Sequence, residues 1–353
     1  MKHVFLPYEF GTDHPISSLF ENLVPYFESD YKFTTLSNSE SNPSCRTNFV
    51  SLRNKSKFFT GLKLLRESLK NYDIIHTGGF YRKHKYASKL SKMNNQNISH
   101  IHSFQVDLLA DDSEEDRTRD LRIERNLTNS ADVVTAVSEH TAETVRENFD
   151  IDPVVIYNAV DTNEFHPEHQ STELIQEINV SQPFFLYVGS LTKRKRPGDV
   201  IEVARHLPAA DFIIVGDGPL YNELKMDSEQ LDNVCLTGRV DKHKLPAIYS
   251  RATGFIFPSI REGCPNVVLE SLSSETPVVG YNSTSMPEIV SHSEWGFLAQ
   301  EKDVDELHKY AKKLIESNIS SQLGKKGRIY VQDNHTYKHI CSKYESIYSG
   351  TIS

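Results

Sequence analysis

The sequence lacks long apolar runs. Its longest apolar stretches, such as residues 184–188 and 212–215, are far shorter than the roughly 18 residues that a membrane-spanning helix needs. The opening segment, residues 1–10, is too short and too polar to form the apolar core of a signal peptide. We therefore expect a cytoplasmic protein without a membrane-spanning helix.

Cysteine is scarce, and positive charge is not in excess. The cysteines are scattered and form no Cys-x-x-Cys pair, which excludes the common zinc-binding spacings and argues against a disulfide framework. They are Cys45, Cys235, Cys264 and Cys341. The 353 residues include 39 basic and 48 acidic side chains, a formal net charge of −9. This balance argues against a general nucleic-acid-binding protein.

The charge is nevertheless unevenly distributed along the chain. Between residues 51 and 100, eleven basic side chains, from Arg53 to Lys92, accompany only two acidic ones, which gives this stretch a local charge of +9. The following residues, 107–120, are strongly acidic. Two interpretations are open. The stretches are two solvated faces that partly neutralise each other, or the basic one contacts an anionic membrane surface or a phosphate-bearing acceptor.

Short apolar runs alternate with stretches of helical periodicity, a pattern typical of parallel α/β sheets. Residues 57–69 have apolar side chains at three- to four-residue spacing, and Ser138 is a typical N-cap for a helix over residues 138–148. A polar stretch over residues 163–182 separates two series of elements. The predicted strands are residues 3–6, 73–76, 99–103, 132–137 and 153–157, then 184–188, 212–215, 234–236, 254–257 and 277–279.

The two series predict an α/β protein with two doubly wound, Rossmann-like domains, residues 1–162 and 183–336. Ligands of such sheets bind beyond the carboxyl ends of the strands, where the strand order reverses. Two domains of this kind that face each other would place the binding site in the cleft between them.

The segment over residues 257–279 carries the strongest chemical signal. A predicted strand leads through a turn with Glu262 into a helix that bears Glu270, so both carboxylates can face the same side. Carboxylates accept hydrogen bonds from sugar hydroxyls, and free N–H groups at a helix N-terminus bind phosphate. The amides expected there belong to Gly263, Cys264, Asn266 and Val267. On the residues alone, a solvated loop glutamate and a helix-surface glutamate are the alternative.

Two other short motifs are less specific. Gly216-x-Gly218 begins a dinucleotide fingerprint, but Tyr221 occupies the third glycine position. We therefore interpret the pair as a tight turn and exclude a nicotinamide enzyme. The acidic pair Asp150-x-Asp152 precedes a proline in a predicted connecting turn, away from any strand end, and we expect no metal site.

Seven fragments occur in the order found in one enzyme family. They are Glu262-x7-Glu270 with PVV after it, YVGSL at 187–191 followed by Lys195, IIVGDGP at 213–219, NVCLTGRV at 233–240, MPEIV at 286–290, ADVVTAVS at 131–138 and VIYNAVDTNEF at 155–165. With them the chain resembles the retaining glycosyltransferases of the group 1 type, which form family 4 and have the GT-B fold. The resemblance covers most of the chain.

The resemblance implies roles for the matching residues. Glu262 would contact the donor sugar, Glu270 would hold the ribose hydroxyls, and Lys195 would bind the diphosphate. Ser190 replaces the arginine that usually accompanies this lysine, and Arg194 or Arg196 could supply the missing cation. A solvated basic turn is the alternative. The remaining donor-binding residues that the resemblance predicts are Gly189, Ser190, Gly216, Arg239 and Val240, with Gly263, Cys264, Asn266 and Val267.

Histidines and the first loop complete the predicted site. His102 matches the family's histidine beside the donor sugar, with a structural histidine as the alternative, and we expect His100 to face outward. His76 is a weaker candidate for the cleft. The loop over residues 7–15 should shape the acceptor side through Gly11 and His14, although the family commonly has a glycine-rich loop here.

The resemblance implies transfer of a sugar, with retention, from a nucleotide-diphosphate sugar to a hydroxyl of a glycan or lipid-linked saccharide. It implies no metal or other cofactor, and a location in the cytoplasm or peripherally on the inner face of the membrane. It also implies that a C-terminal helix from residue 337 packs back on the first domain. A sugar-nucleotide epimerase or phosphorylase and a catalytically silent sugar-nucleotide-binding subunit are the alternatives.

Overall fold

The structure is a computed structural model that describes residues 1–10, 15–37, 47–51, 66–67, 70–78, 89, 98–104, 114–169, 180, 183–317 and 319–350. The predicted helix over 57–69 lies almost entirely outside these residues, as do Gly11, His14 and most of the basic stretch. The chain divides into two compact units. Unit 1 comprises Met1–Asn158 and Tyr337–Ser353, and unit 2 comprises Ala159–Thr336. The predicted first domain ended slightly later, at residue 162.

One parallel sheet forms the centre of unit 1. Its strands in the described residues are β1 (Lys2–Phe10), β2 (Tyr31–Ser37), β3 (Thr47–Ser51), β4 (Ile74–Gly78), β5 (Ser99–Phe104), β6 (Val133–Ala136) and β7 (Val154–Val155). They lie in the order β3-β2-β1-β4-β5-β6-β7. β4 and β5 are buried along their whole length, as expected for central strands of a parallel sheet covered on both faces. The sequence predicted five of these strands and missed β2 and β3.

A second parallel sheet forms the centre of unit 2. Its strands are β8 (Phe184–Val188), β9 (Asp211–Val215), β10 (Val234–Gly238), β11 (Gly254–Phe257), β12 (Val278–Tyr281) and β13 (Gly296–Ala299). Their order is β10-β9-β8-β11-β12-β13. The sequence predicted every strand of this described sheet except β13, and the bounds of β8 and β11 agree with the prediction.

Helices pack on both sheets. In the described residues they are α1 (Pro15–Leu23), α2 (Glu114–Thr128), α3 (Glu139–Phe149), α4 (Pro197–His206), α5 (Tyr221–Ser228), α6 (Leu245–Tyr249), α7 (Asn266–Ser273), α8 (Met286–Ile289), α9 (Val304–Glu316), α10 (Ser320–Asn334) and α11 (Tyr337–Gly350). Ser138 caps α3 as predicted, because its side chain accepts a hydrogen bond from the Thr141 N–H at 3.1 Å. Among the described residues, no helix has the length and apolar character needed to cross a bilayer.

The predicted α/β architecture with two parallel sheets is confirmed. Each sheet has one position at which its strand order reverses. The strand order reverses between β1 and β4 in unit 1 and between β8 and β11 in unit 2. Loops that leave the carboxyl ends of these strand pairs diverge to opposite sides of the sheet and leave room for a ligand. The residues that follow β8 and β11 therefore lie where a sheet of this kind binds its ligand.

Candidate active site

Two hydrogen-bonded loops lie at the switch point of unit 2. One follows β8 and contains a short helical turn over Lys193–Lys195, and the other follows β11 and leads to α7. The Ile260 N–H donates to the Arg194 carbonyl at 3.1 Å, and the Arg194 guanidinium donates to the Arg261 carbonyl at 2.8 Å. Each loop therefore fixes the other, and side chains from both converge.

Glu262 is the centre of this convergence. Its carboxylate accepts a hydrogen bond from the Ser259 hydroxyl at 2.6 Å, forms an ion pair with Lys195, and lies 3.4 Å from an Arg194 nitrogen. The Glu262 side chain is 9% exposed and that of Arg194 is 32% exposed. The predicted residues Glu262, Lys195 and Arg194 therefore come together as one charged cluster that solvent can reach.

Lys195 is largely buried and lies beside an aromatic ring. Its side chain is 13% exposed, and its ammonium nitrogen lies 4.8 Å from the ring centroid of Phe257. Burial lowers the pKa of Lys195, and the Glu262 carboxylate opposes that effect. Burial, with a smaller contribution from Glu262, raises the pKa of Tyr187, whose hydroxyl donates to the Ser190 carbonyl at 3.2 Å. A cation in this setting interacts strongly with any anion that reaches it.

Arg196 points to a different partner. Its guanidinium donates two hydrogen bonds to Asp199, at 2.6 and 2.9 Å, and Asp199 also accepts one from the Tyr281 hydroxyl at 2.6 Å. Arg196 ends the helical turn in a left-handed conformation with φ of 50°, which directs it away from its neighbours in the sequence. Of the two arginines that could replace the missing cation, the structure therefore places Arg194 beside Lys195.

The predicted glycines support the β8 loop. A Cβ on Gly216, whose φ is +150°, would lie 1.9 Å from the Gly189 carbonyl oxygen. No side chain therefore fits where the turn after β9 meets the turn after β8. Ser190, which follows Gly189, is exposed. Beyond β10, Arg239 is exposed and Val240 partly buried, and the Gly238 carbonyl accepts the Gly216 N–H at 2.9 Å. The predicted glycine turn therefore joins the carboxyl ends of β8, β9 and β10.

The first turn of α7 follows Glu262 directly. Gly263 and Cys264 lie in the preceding loop, and Cys264 is buried. Asn266 and Val267 are the first two helical residues, and the first N–H groups of a helix have no acceptor within it. Of the predicted amide donors, those of Asn266 and Val267 therefore lie in the first turn of α7, four and five residues after Glu262.

Glu270 is buried inside unit 2. It is 9% exposed and accepts a hydrogen bond from the Tyr249 hydroxyl at 3.3 Å. Burial raises the pKa of Glu270 to about 7, against the opposing effect of Lys242. Burial therefore disfavours the ionised carboxylate, and an arriving hydroxyl donor would favour it.

His102 lies in unit 1 within a closed polar network. It is fully buried, with Nε2 2.7 Å from a carboxylate oxygen of Glu124 and Nδ1 2.9 Å from the Thr77 hydroxyl. His100 is also fully buried, with Nε2 2.8 Å from the same hydroxyl, so the prediction that it faces outward is wrong. Both ring nitrogens of His102 are thus occupied by partners of unit 1 itself.

The third histidine, His76, ties the C-terminal helix to the sheet. It is fully buried on β4, with Nδ1 2.7 Å from the Tyr348 hydroxyl and Nε2 2.7 Å from the Ser103 hydroxyl. Tyr348 belongs to α11, so this helix packs on unit 1. The surroundings of His76 are therefore those of a structural histidine, with a hydroxyl of unit 1 at each ring nitrogen.

The acidic pairs do not converge in the described residues. Asp152 pairs with Arg146 at 2.7 Å on the surface. A second pair, Asp303 and Asp305, escaped the sequence analysis and opens α9, where Asp303 accepts the Glu306 N–H at 2.9 Å. Among the residues that the structure describes, no three histidine, cysteine or acidic side chains lie close enough to hold a metal ion.

Sequence reasoning missed several residues that hold the predicted ones. Ser259 and Thr284 contact Glu262, Tyr249 contacts Glu270, and Glu124 contacts His102. Ser259 stands at the end of a predicted strand, a position that could have identified it. The others come from distant parts of the sequence and carry no local signal.

Comparisons with known proteins agree with this fold. The family model described as "Glycosyl transferases group 1" matches residues 171–329, and the one described as "Glycosyltransferase Family 4" matches residues 35–164. The N-acetyl-alpha-D-glucosaminyl L-malate synthase of Bacillus anthracis is 26% identical over 235 residues, 63% of this chain and 60% of that protein. The UDP-Gal:alpha-D-GlcNAc-diphosphoundecaprenol alpha-1,3-galactosyltransferase of Escherichia coli is 26% identical over 218 residues, 57% of this chain and 56% of that protein. The matches thus span less than two thirds of these relatives.

Solved structures share the fold over the whole chain. Sucrose-phosphate synthase from Thermosynechococcus elongatus aligns with a TM-score of 0.80 at 19% identity and covers 99% of both chains. HepE of Anabaena, solved in complex with UDP-glucose, aligns with a TM-score of 0.82 at 16% identity, covering 99% of this chain and all of that one. The two family models match successive parts of the chain, and the fold is that of GT-B glycosyltransferases. The chain therefore belongs to the group 1 glycosyltransferases.

Proposed function

We propose that the chain transfers a sugar from a nucleotide-diphosphate sugar to a hydroxyl acceptor. The observation that carries this proposal is the convergence of Lys195 and Arg194 on Glu262 at the switch point of unit 2. Two cations and one carboxylate leave a net positive charge, which suits a diphosphate. The carboxylate can in turn accept hydrogen bonds from sugar hydroxyls.

In this mechanism the charged cluster stabilises the leaving group. As the bond between the sugar and the diphosphate breaks, negative charge grows on the phosphate oxygens. Lys195, Arg194 and the first amides of α7 would oppose that charge, and Lys195 would exchange part of its ion pair with Glu262 for the diphosphate. Glu262 then gains freedom to hold the sugar. Catalysis rests on orientation and on charge stabilisation in a partly buried site.

The donor's ribose would be held by Glu270. Glu270 is the fifth residue of α7, a little more than one turn inside the helix, and it is 9% exposed. Burial raises the pKa of its carboxyl to about 7, because it disfavours the ionised form. Two ribose hydroxyls could satisfy both carboxylate oxygens. Arg239 and Val240, which follow β10, would contact the base. On unit 1, Gly11 and His14 would shape the acceptor side, and His102 would lie near the sugar.

We further propose that the transfer retains the anomeric configuration and requires no metal ion. Retention is supported by the resemblance to the retaining group 1 enzymes. Metal independence is supported by Lys195 and Arg194, two cations that converge on Glu262 and could meet the charge of the diphosphate. The acceptor class would be a glycan or a lipid-linked saccharide, as in the diphosphoundecaprenol-linked acceptor named for the Escherichia coli relative.

A panel of nucleotide sugars tests the proposal. The protein is incubated with each donor, with and without glycan and lipid-linked acceptors, and with EDTA in a parallel arm. We expect release of nucleoside diphosphate that depends on the acceptor and is unchanged by EDTA. The anomeric proton coupling of the product, measured by NMR, reports retention or inversion. A strict need for added Mg²⁺ or Mn²⁺ would contradict metal independence.

The same panel separates the alternatives. Epimerised donor without acceptor would indicate a sugar-nucleotide epimerase, and phosphate-dependent release of sugar phosphate would indicate a phosphorylase. Donor binding without turnover of any kind would indicate a catalytically silent subunit, which the replacement of an arginine by Ser190 makes a serious alternative. Each result excludes the others because the products differ.

The basic stretch supports a peripheral location on the inner face of the membrane. Its eleven cations between Arg53 and Lys92 give +9 in a chain of net charge −9, and each cation near an anionic surface contributes about 1 kcal/mol. Co-sedimentation with anionic vesicles should be strong at low salt and lost near 1 M salt, where the Debye length is about 3 Å. Changing Lys83, Lys85, Lys89 and Lys92 to Ser should abolish it, and no sedimentation at low salt would exclude this location.

A further inference from the structure

A turn after β12 contacts the loop that follows β11 in unit 2. It comprises residues 282–285 and connects β12 to α8. At its centre Thr284 has a φ of 47°, in the left-handed region. A β-branched side chain rarely adopts this conformation, because its branches crowd the backbone, and glycine adopts it freely. A threonine that persists there is held by its surroundings.

The contact that holds it is with Glu262. The Thr284 hydroxyl oxygen accepts a hydrogen bond from the Glu262 backbone N–H at 2.9 Å. Its neighbour, Ser283, donates from its hydroxyl to the Ile260 carbonyl at 2.7 Å. The turn therefore binds the β11 loop at two backbone groups, the carbonyl two residues before Glu262 and the N–H of Glu262 itself.

Two features of this turn lower its own stability. Besides the strained Thr284, the next residue, Ser285, is fully buried, and its hydroxyl has no hydrogen-bond partner among the described residues. A buried hydroxyl without a partner has a cost, and so does left-handed threonine backbone. The left-handed Thr284 contacts Glu262 directly, and backbone strain is retained at functional sites where it fixes a geometry that the reaction needs.

We propose that Thr284 is a positioning residue that fixes the backbone of Glu262, and thereby aims its carboxylate at the reacting sugar. This inference rests on the proposed function for the reaction itself, but the hydrogen bond can be tested without it. Ser259 aims the carboxylate from the side-chain end, whereas Thr284 fixes the main chain from which the side chain extends. Loss of that bond would let the carboxylate move within the site.

Three substitutions separate the hydroxyl from the strain. Thr284→Ser keeps the hydroxyl and removes the branch, Thr284→Val keeps the branch and removes the hydroxyl, and Thr284→Gly removes both. We expect Thr284→Ser to keep kcat within about twofold of the wild type, and Thr284→Val and Thr284→Gly to lower kcat about tenfold, as one lost charge-orienting hydrogen bond implies. The donor KM should change by less than about twofold, because the donor's diphosphate and ribose contacts remain.

Thermal unfolding and the KM provide the controls. Thr284→Gly should unfold at the same temperature as the wild type or higher, so that its loss of kcat cannot be a loss of folding. A raised KM with an unchanged kcat in Thr284→Val would overturn the proposal, because Thr284 would then bind the donor. Full activity in Thr284→Val would overturn it as well.

Amide hydrogen exchange at Glu262 tests the contact apart from the reaction. We expect this amide to exchange at least about tenfold faster in Thr284→Val than in Thr284→Ser. If the wild type proves inactive with every donor, the proposed function fails, yet this exchange difference would still show that Thr284 fixes Glu262. Equal exchange in the two variants would overturn the positioning role whatever the activity.

Discussion

The first six strands of unit 1 and the six strands of unit 2 follow the same order, but the two sheets carry very different polar groups. In unit 1, His102, Thr77 and Glu124 form a chain of short hydrogen bonds and are all fully or almost fully buried. In unit 2, Lys195 and Glu262 pair while Arg194 beside them keeps 32% of its side chain exposed. The first network has its partners already, whereas the second has charge left over for a ligand.

This difference shows why burial and charge must be considered together. Parallel sheets bring polar residues to the carboxyl ends of their strands, whether or not they act on a ligand. A buried polar group with all partners present mainly contributes to the unit's own stability, and removing one partner is costly. A partly exposed charged cluster can instead interact with something outside the chain. The substitutions below should therefore affect stability in unit 1 and activity in unit 2.

Lys195→Ala should have the largest effect. We expect kcat/KM to fall about 10³-fold, because the leaving diphosphate loses a cation in a partly buried site, a loss of about 4 kcal/mol of transition-state stabilisation. The measurement is steady-state release of nucleoside diphosphate with the best donor. Lys193→Ala, in the same helical turn but exposed, is the control and should stay within about twofold.

Thermal unfolding of Lys195→Ala completes that comparison. Its melting temperature should change little, because Arg194 and Ser259 still satisfy Glu262. Retention of more than about a tenth of the wild-type activity would remove Lys195 from the mechanism.

Glu124→Ala should have the largest effect on stability. Its carboxylate oxygen lies 2.7 Å from His102 Nε2 in the core of unit 1, and removal of one partner of a buried hydrogen bond costs about 1 to 3 kcal/mol. Urea unfolding measures the free energy. The control is Glu139→Ala, which breaks an exposed pair with Arg146 at 3.4 Å and should cost less than about 0.5 kcal/mol.

The opposite result in unit 1 would also be informative. If Glu124→Ala unfolds like the wild type but loses activity, then the pair orients His102 for the reaction, as the family resemblance implies, and the contrast between the units disappears.

Substitution of Glu270 should affect both stability and ligand binding, because this residue is buried and lies in the proposed ribose site. Its pKa, raised by burial from 4.5 to about 7, means that the folded chain holds a proton that the unfolded chain has lost between those pH values. The free energy of unfolding must therefore fall as pH rises through this window, by at most about 3 kcal/mol. Glu270→Gln cannot ionise and should be more stable than the wild type at pH 8, with no gain at pH 4.5.

Nucleotide binding should respond in the opposite direction. Glu270→Gln should bind a nucleoside diphosphate about tenfold more weakly at pH 8, because the ribose hydroxyls lose a charged acceptor. Calorimetry at pH 8 measures this, and unchanged affinity would mean that Glu270 does not hold the ribose. Equal unfolding free energies for the two proteins at pH 8 would show that burial costs this carboxylate nothing.

The features that could be predicted from the sequence are those that a local pattern of residues determines. Strands β8 and β11 are apolar runs that end in turns, and Glu262, Lys195 and the start of α7 all lie within a few residues of those turns. The prediction failed for His100 because its burial depends on Thr77 and on neighbouring strands rather than on its own surroundings in the sequence. The role of Thr284 depends on a backbone angle and on a contact 22 residues away.

The choice between Arg194 and Arg196 is another case that depends on backbone angles, and it gives the smallest predicted effect. The sequence offered both as the second cation, but the left-handed residue at the end of the helical turn directs Arg196 to Asp199, while Arg194 stays beside Lys195. Arg194→Ala should weaken binding of a nucleoside diphosphate about tenfold, or about 1.4 kcal/mol, because an exposed cation is partly screened by solvent.

Arg196→Ala should change this affinity by less than about twofold, while lowering the melting temperature slightly through loss of its pair with Asp199. Titration calorimetry at low and high salt compares the two variants directly, since only the Arg194 contribution should weaken as salt rises. If Arg196→Ala proves the weaker binder, the arginine must leave Asp199 when the nucleotide arrives. Arg196 would then exchange its ion pair with Asp199 for the nucleotide, and the charged cluster of unit 2 would gain a third cation.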